Sequence, residues 1–192
     1  QRQDPMLPEF SSLSYFDMGL IQSVPQSGNR RQELLNTAQQ LISMGYVPIP
    51  LVGKRPILNA WERTTRDTAL SQLSSVGNFN NLGILTGEVG GVTVIDIDNS
   101  QERSGSESFV RVLNEAGISY PNTLRVATGG GGTHLYFKYA GPELLSAPLR
   151  RHGQRLSIDI KNNGGQVVAP GSIHPETGRL YTVENNSSPI EM

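Results

Sequence analysis

Two aspartates one residue apart close the stretch VTVIDIDN, Val92–Asn99. Side chains alternate along a strand, so Asp96 and Asp98 share a face, with Cα atoms roughly 7 Å apart, while Ile95 and Ile97 point to the layer behind. Neighbouring carboxylates raise each other's pKa, and a hard divalent cation, which prefers several oxygen ligands, removes that conflict. The stretch LSIDIK at 156–161 repeats the pattern, with Ser157, Asp159 and Lys161 on one face and Ile158 and Ile160 on the other. A third carboxylate from a separate strand would complete a site for one or two Mg²⁺ or Mn²⁺ ions. Two such ions about 4 Å apart are a standard arrangement for moving phosphoryl groups. The ordinary alternative for an isolated D-x-D is a solvated strand end or a turn.

Other segments carry groups suited to a polyanion. Four glycines, Gly129–Gly132, lie between two strand candidates, where they let backbone approach a ligand and offer N–H groups to phosphate; a simple hairpin turn is the alternative. The run leads to Thr133 and His134, and alternation groups His134 with Tyr136 and Lys138 against Leu135 and Phe137. His134 could donate to a phosphate or sugar oxygen, or be a packed core residue. Lys54 and Arg55, in a Gly-Pro turn, are phosphate candidates or a solvated turn; Lys161 is a phosphate ligand or the partner of Asp159. Ser172 and His174, in APGSIHPETG, are substrate contacts or turn residues. Trp61 reads as a packing residue. His152 with Arg150, Arg151 and Arg155 forms the main local basic cluster, a track for a nucleic-acid backbone or a solvated loop.

These groups need a scaffold, and 192 residues suffice for one domain with a sizeable core. Hydrophobic residues at 36% and charged residues at 17% do not amount to general disorder, and Gly 21 with Pro 12 implies many turns. A formal net charge of −1 means that any nucleic-acid binding rests on a local patch. The absence of cysteine excludes disulfides and thiolate zinc sites. No stretch is long and apolar enough to span a membrane, and a cytoplasmic setting is expected.

Residues 1–28 read as an arm, 29–184 as the catalytic domain and 185–192 as the start of a linker; beginning at Gln1, the chain is expected to be part of something longer. A helix is expected over 30–44 with Leu34, Leu35, Ala38, Leu41 and Ile42 inward, then a strand over 46–52, a short helix capped by Asp67 and carrying Leu70 and Leu73, and a strand over 81–87. A helix over 104–117 follows the aspartates with Phe109, Val110 and Leu113 inward. Further strands are expected in 123–128, 133–140, 156–161 and 179–183, with a further apolar run at 165–170 before a loop, giving a mixed α/β domain.

The ordered set GKRP, a downstream Trp, LTG, VIDID, TGGGGTHLYF, IDIKNNGGQVVAPGS and HPETGRLY closely resembles the bifunctional primase–polymerase domain of the archaeo-eukaryotic primase superfamily, from about Gly45 to Val183. The resemblance implies an α/β (α+β) primase core, an RRM-like mixed sheet with a metal site packed against an N-terminal α/β unit. It implies that Asp96, Asp98 and Asp159 hold two Mg²⁺ or Mn²⁺ ions. His134, Lys161, Lys54 and Arg55, with Gly131, Gly132, Thr133, Ser172 and His174, would bind a dNTP or NTP. Arg150, Arg151 and Arg155 would contact nucleic acid. Gly130 stands where the family often has serine, and Thr133 where a larger or basic residue is common. The implied activity is template-directed nucleotidyl transfer, a DNA primase and polymerase, in replication of a plasmid, phage or mobile element. Single-stranded or primed DNA would be its template, with C-terminal helical and helicase regions as partners. A metal-dependent phosphohydrolase or nuclease, and an inactive nucleic-acid-binding module, are the alternatives.

Overall fold

The computed structural model describes residues 29–192. Helix α1 (Arg30–Ser43) starts at Asn29, whose side chain accepts from the Gln32 amide, and buries Leu34, Ala38 and Leu41. Strand β1 (Pro48–Val52) turns into the two-residue β2 (Arg55–Pro56), and a 3₁₀ turn (Trp61–Arg63) leads to α2 (Arg66–Ser75). The cap of α2 is Thr65, in a reciprocal capping box with Thr68. Asp67, expected as the cap, lies inside the first turn, and Ala69 with Leu73 forms the buried edge. The cap lies two positions earlier than expected, at one of several small polar residues that precede or open the helix. Next come β3 (Asn81–Leu85) and the short α3 (Gly87–Gly90).

Strand β4 (Val92–Ile97) ends at the aspartates and passes to α4 (Gly105–Ala116), which is capped by Ser104 and closed by Gly117 in the left-handed region. Phe109 is buried beneath α4 and Leu113 packs beside it, but Val110, expected inward, is 44% exposed. Then follow β5 (Leu124–Ala127), β6 (Thr133–Lys138), β7 (Ala147–Arg151), β8 (Gln154–Lys161), β9 (Gln166–Val168) and β10 (Thr182–Val183). Strand β7 lies where the sequence suggested a basic loop. It is an exposed edge strand joined to β8 by a two-residue turn, with His152 (φ 48°) and Gly153 (φ 78°) both left-handed, as a type I′ hairpin requires.

The strands form two sheets, with orders β2-β1-β3-β9 and β10-β5-β6-β4-β8-β7, and every ladder between them is antiparallel. Within the larger sheet, β5-β6-β4-β8 has the RRM-like order, with α4 as the connection from β4 to β5. The chain leaves this sheet after β8, donates β9 to the smaller sheet, and returns as β10. The N-terminal unit is therefore stitched to the sheet it covers.

One core cluster takes side chains from α1, from β1, β3 and β9, and from Val92, Val94, Leu124, Val126 and Tyr136 of the larger sheet. A second, of Ile97, Phe109, Leu135, Phe137 and Ile158, fills the opposite face under α4. Residues 185–192, expected to begin a linker, are tied to the sheet. Asn185 accepts from the Arg125 amide and donates to the Thr123 carbonyl, and Ile190 bridges to Phe137.

A buried polar joint secures the sheet just past β8. Asn162 is fully buried, accepts from Thr93 Oγ1 at 2.8 Å, and donates to the Gly141 and Leu144 carbonyls at 2.9 and 2.6 Å. Asn162→Ala strands these partners without water and is expected to cost about 2–3 kcal/mol. Urea titration should show a lower midpoint at unchanged slope.

Candidate active site

The two central ladders set the site. In the β4–β6 pairing Asp96 lies opposite His134, and in the β4–β8 pairing Asp96 lies opposite Asp159. One row across the sheet therefore reads Val126, His134, Asp96, Asp159 and Pro148. The adjacent row on the same face has Leu124, Tyr136, Val94 and Lys161. Tyr136, Val94 and Leu124 are core, so the face changes from apolar to ionic between one row and the next. Asp98 lies one step further out on that face and is exposed, its backbone N–H held by the Ser157 carbonyl at 2.9 Å.

These charges stand above a cavity of about 480 Å³ lined by Lys54, Asp96, Asp98, His134, Lys161 and Tyr181, among others. Its size lies within the range of about 300–1,000 Å³ usual for small-molecule sites. Asp159 borders a neighbouring hollow beside Trp61, and Lys161 and Gln166 line both spaces.

His134 is buried, and its Nε2 lies 3.3 Å from Asp96 Oδ1. Burial works to raise the Asp96 carboxyl, but His134, with Lys161 and Lys54 beyond it, outweighs burial and holds the group below its ordinary value. Asp98 goes the other way: although the residue as a whole is exposed, partial desolvation of its carboxyl, then repulsion from Asp96 and Asp159, raises it. Asp159 is clasped by Arg155 Nη2 at 2.8 and 3.1 Å and by Lys161 Nζ at 3.2 Å. No group of three or more His, Asp or Glu residues is spaced to hold a metal among the described residues. The carboxylates lean instead on the cations of the protein. The donor set still suits a hard divalent ion: three carboxylates lie on one sheet face, and Asp98 has no cationic partner within ion-pair distance among the described residues.

The remaining expected residues separate. Lys54 reaches the cavity, and Gln166 Nε2 holds its carbonyl at 3.1 Å; Arg55 is exposed on β2 and does not line the cavity. Thr133 sits one position out of phase with His134 and does not line it either. Ser172 is fully buried, its hydroxyl accepting from the Leu82 amide at 3.0 Å and donating to the Leu82 carbonyl at 3.1 Å, so it ties loop to strand.

In the glycine run, the Gly131 amide donates to the Thr128 carbonyl and the Gly132 amide to Thr128 Oγ1 at 2.8 Å, so neither N–H is directed to phosphate. What the backbone approaches closely is protein. A Cβ on Gly132 would run into the Ile97 carbonyl, one on Gly129 into His174 and the Arg179 carbonyl, and one on Gly130 would lie 3.0 Å from His174 Nε2. The serine often found in place of Gly130 would therefore crowd His174.

Arg150 donates to the Gly153 carbonyl at 3.2 Å and Arg151 pairs with Glu115 at 2.5 Å. Residues that sequence reasoning passed over include Asn99, which accepts from the Ser106 amide and donates to the Gly131 carbonyl, joining β4, α4 and the glycine turn. Tyr181 is another; its ring lies 5.9 Å from that of His134 and 6.1 Å from that of His174. Its only signal was the alternation in RLYTV.

A family model described as bifunctional DNA primase/polymerase, N-terminal, matches residues 38–192. The chain belongs to the prim-pol family. That membership implies a DNA primase/polymerase nucleotidyltransferase, with DNA template and nucleotides as substrates, in a family that generally uses divalent metals. A comparison with curated proteins gave no match. No helix among the described residues is long and apolar enough to cross a membrane.

His174 offers a direct check on the electrostatics of the prim-pol cleft. Its Nδ1 accepts from the Glu176 and Thr177 amides at 3.3 Å each, which leaves the proton of the neutral ring on Nε2. Burial, then Lys54, lower its pKa from 6.5. A depressed folded-state pKa means that the unfolded chain takes up the proton first, so this contribution to stability is complete above about pH 6.5 and is lost as pH falls through the folded value. NMR titration should place the His174 midpoint below 6.5, and His174→Gln should remove that part of the pH dependence of the urea midpoint.

Proposed function

We propose that this domain is a template-directed nucleotidyltransferase that adds a nucleotide to a strand's 3′-hydroxyl with release of pyrophosphate, in replication of a plasmid, phage or mobile element. The observation that carries the reading is the row His134–Asp96–Asp159 with Asp98 beside it, at the edge of a cavity that also holds Lys54 and Lys161. Asp96, Asp98 and Asp159 would hold two Mg²⁺ or Mn²⁺ ions. When bound there, these ions make the 3′-hydroxyl a better nucleophile and neutralise charge on the departing pyrophosphate.

The residues of the chain do the rest by position and charge. His134 fixes the Asp96 carboxylate and presents its ring to the cavity beside Tyr181. Lys161 and Lys54, which both line the cavity, attract the triphosphate as point charges. Neutral His174, with its proton on Nε2, is a donor to a phosphate or sugar oxygen. No protein nucleophile is required. The same reading assigns helical and helicase segments as partners and a cytoplasmic setting, that of the host where a phage or plasmid encodes the protein. The word N-terminal in the family description supports further chain beyond this domain.

With a primed DNA template, dNTPs and Mn²⁺, the wild type should extend the primer. Asp96→Ala, Asp98→Ala and Asp159→Ala should each lower extension by about a thousandfold or more while circular dichroism stays unchanged. Lys161→Ala should raise the dNTP KM by about tenfold or more, the loss of one charge-assisted hydrogen bond. Degradation of the primer by wild type would replace this reading with a nuclease.

A further inference from the structure

Beyond Asp159 the structure opens a second groove, between α4 and the β7–β8 hairpin. Arg103, Arg111, Arg150 and Arg155 line it, and Glu107 is the one acidic residue in the lining, a formal charge of +3 on a chain whose net charge is −1. Arg103 precedes α4, Arg111 lies two turns along it, and Arg150 and Arg155 face each other across the hairpin as a register pair. Among the described residues, neither Arg103 nor Arg111 has a carboxylate within ion-pair distance. Glu115, which could have neutralised this side, is taken by Arg151. All four arginines are exposed. Among the described residues, only Arg155 of the four is paired with a carboxylate, that of Asp159, so the like charges are largely uncompensated and repel one another, an arrangement that a polyanion relieves.

The chemistry of the lining narrows the ligand. The groove has no aromatic side chain on which a base could stack, and its one large apolar residue is Leu156. Guanidinium forks match phosphate oxygens two at a time. The inner end of the groove is Arg155, bonded to Asp159 in the carboxylate row. We propose that this groove holds the phosphate backbone of the strand being extended, directing its 3′-terminus to the carboxylates. The identity of that strand rests on the nucleotidyltransferase reading; the polyanion site itself does not. Recognition through phosphates alone makes binding indifferent to base sequence and strongly dependent on salt.

The test uses the double variant Arg103→Ala/Arg111→Ala, whose side chains lie outside the cavity. Fluorescence anisotropy, without metal, measures binding of a single-stranded oligonucleotide and of a template with a recessed 3′-end across a salt series. Two lost phosphate contacts should make the single-strand log K against log salt slope shallower by about 1.4 and weaken low-salt binding by about tenfold or more. Arg103→Lys/Arg111→Lys, which keeps the charges, should restore the slope. In primer extension, KM for the primed template should rise while the dNTP KM and kcat stay unchanged.

Unchanged affinity and slope would show a merely solvated face and overturn the site. Weaker binding of unprimed strand with an unchanged KM for primed template would overturn the strand assignment. If the wild type does not extend primers, the nucleotidyltransferase reading fails by itself, and the anisotropy arm still decides the groove.

Discussion

The site depends on one constraint, the register of β4 against its neighbours. Asp96 has His134 on one side and Asp159 on the other because both ladders centre on the same residue of β4. A slip by one residue in either ladder would turn that strand's ionic face toward the apolar layer under α4. The slip is prevented from both faces at once. Val94 and Tyr136 are fully buried against the N-terminal unit, and Ile97, Leu135 and Ile158 are buried on the other side. Hydrophobic alternation thus sets the register, and the register places the charges. The aspartates that follow a run of buried residues mark where the covering unit stops and the same sheet face meets the cavity.

Placing three carboxylates together has an energetic consequence that the surrounding cations absorb. Asp96 is compensated by His134, and Asp159 by Arg155 and Lys161; Asp98, partly desolvated and repelled by both, has its pKa raised. The same side chains that balance the carboxylates, His134, Arg155 and Lys161, thus offset much of the charge that the register brings together. Arg155 contacts Asp159 across exposed surface, where an ion pair contributes little to stability and exchanges readily.

Much of this was legible in the sequence because it is local. Period-two alternation in VIDID, THLYFK and LSIDIK assigned each charged residue to a face, and the order of motifs identified the family over most of the chain. What alternation cannot carry is which strands pair and in what register, so the direct opposition of Asp96 and Asp159 became visible only with the sheet. Strand β7 was missed because APLRR is an exposed edge with a proline and two arginines, lacking any buried face to give it a period. Ser172 and the glycine run were harder to read for a related reason. A small hydroxyl or a missing Cβ signals close approach without saying to what, and in both cases the neighbour is protein.

The path of the chain ties the cavity walls to each other. After β8 the backbone crosses to the smaller sheet as β9, runs through the 169–181 loop, and returns as β10. Lys161 ends one wall, Gln166 begins the other and holds the Lys54 turn, and the loop brings His174 against the glycine run before Tyr181 packs between the two histidines. Two separate lobes would need a hinge between them; here the connection is a few residues of strand and a loop anchored by buried polar bonds at Asn162 and Ser172. For the proposed reaction, which draws on alignment and charge, tying the two walls through one continuous path of chain serves positioning. Freedom to accommodate a strand then falls to the exposed arginine side chains outside the cavity.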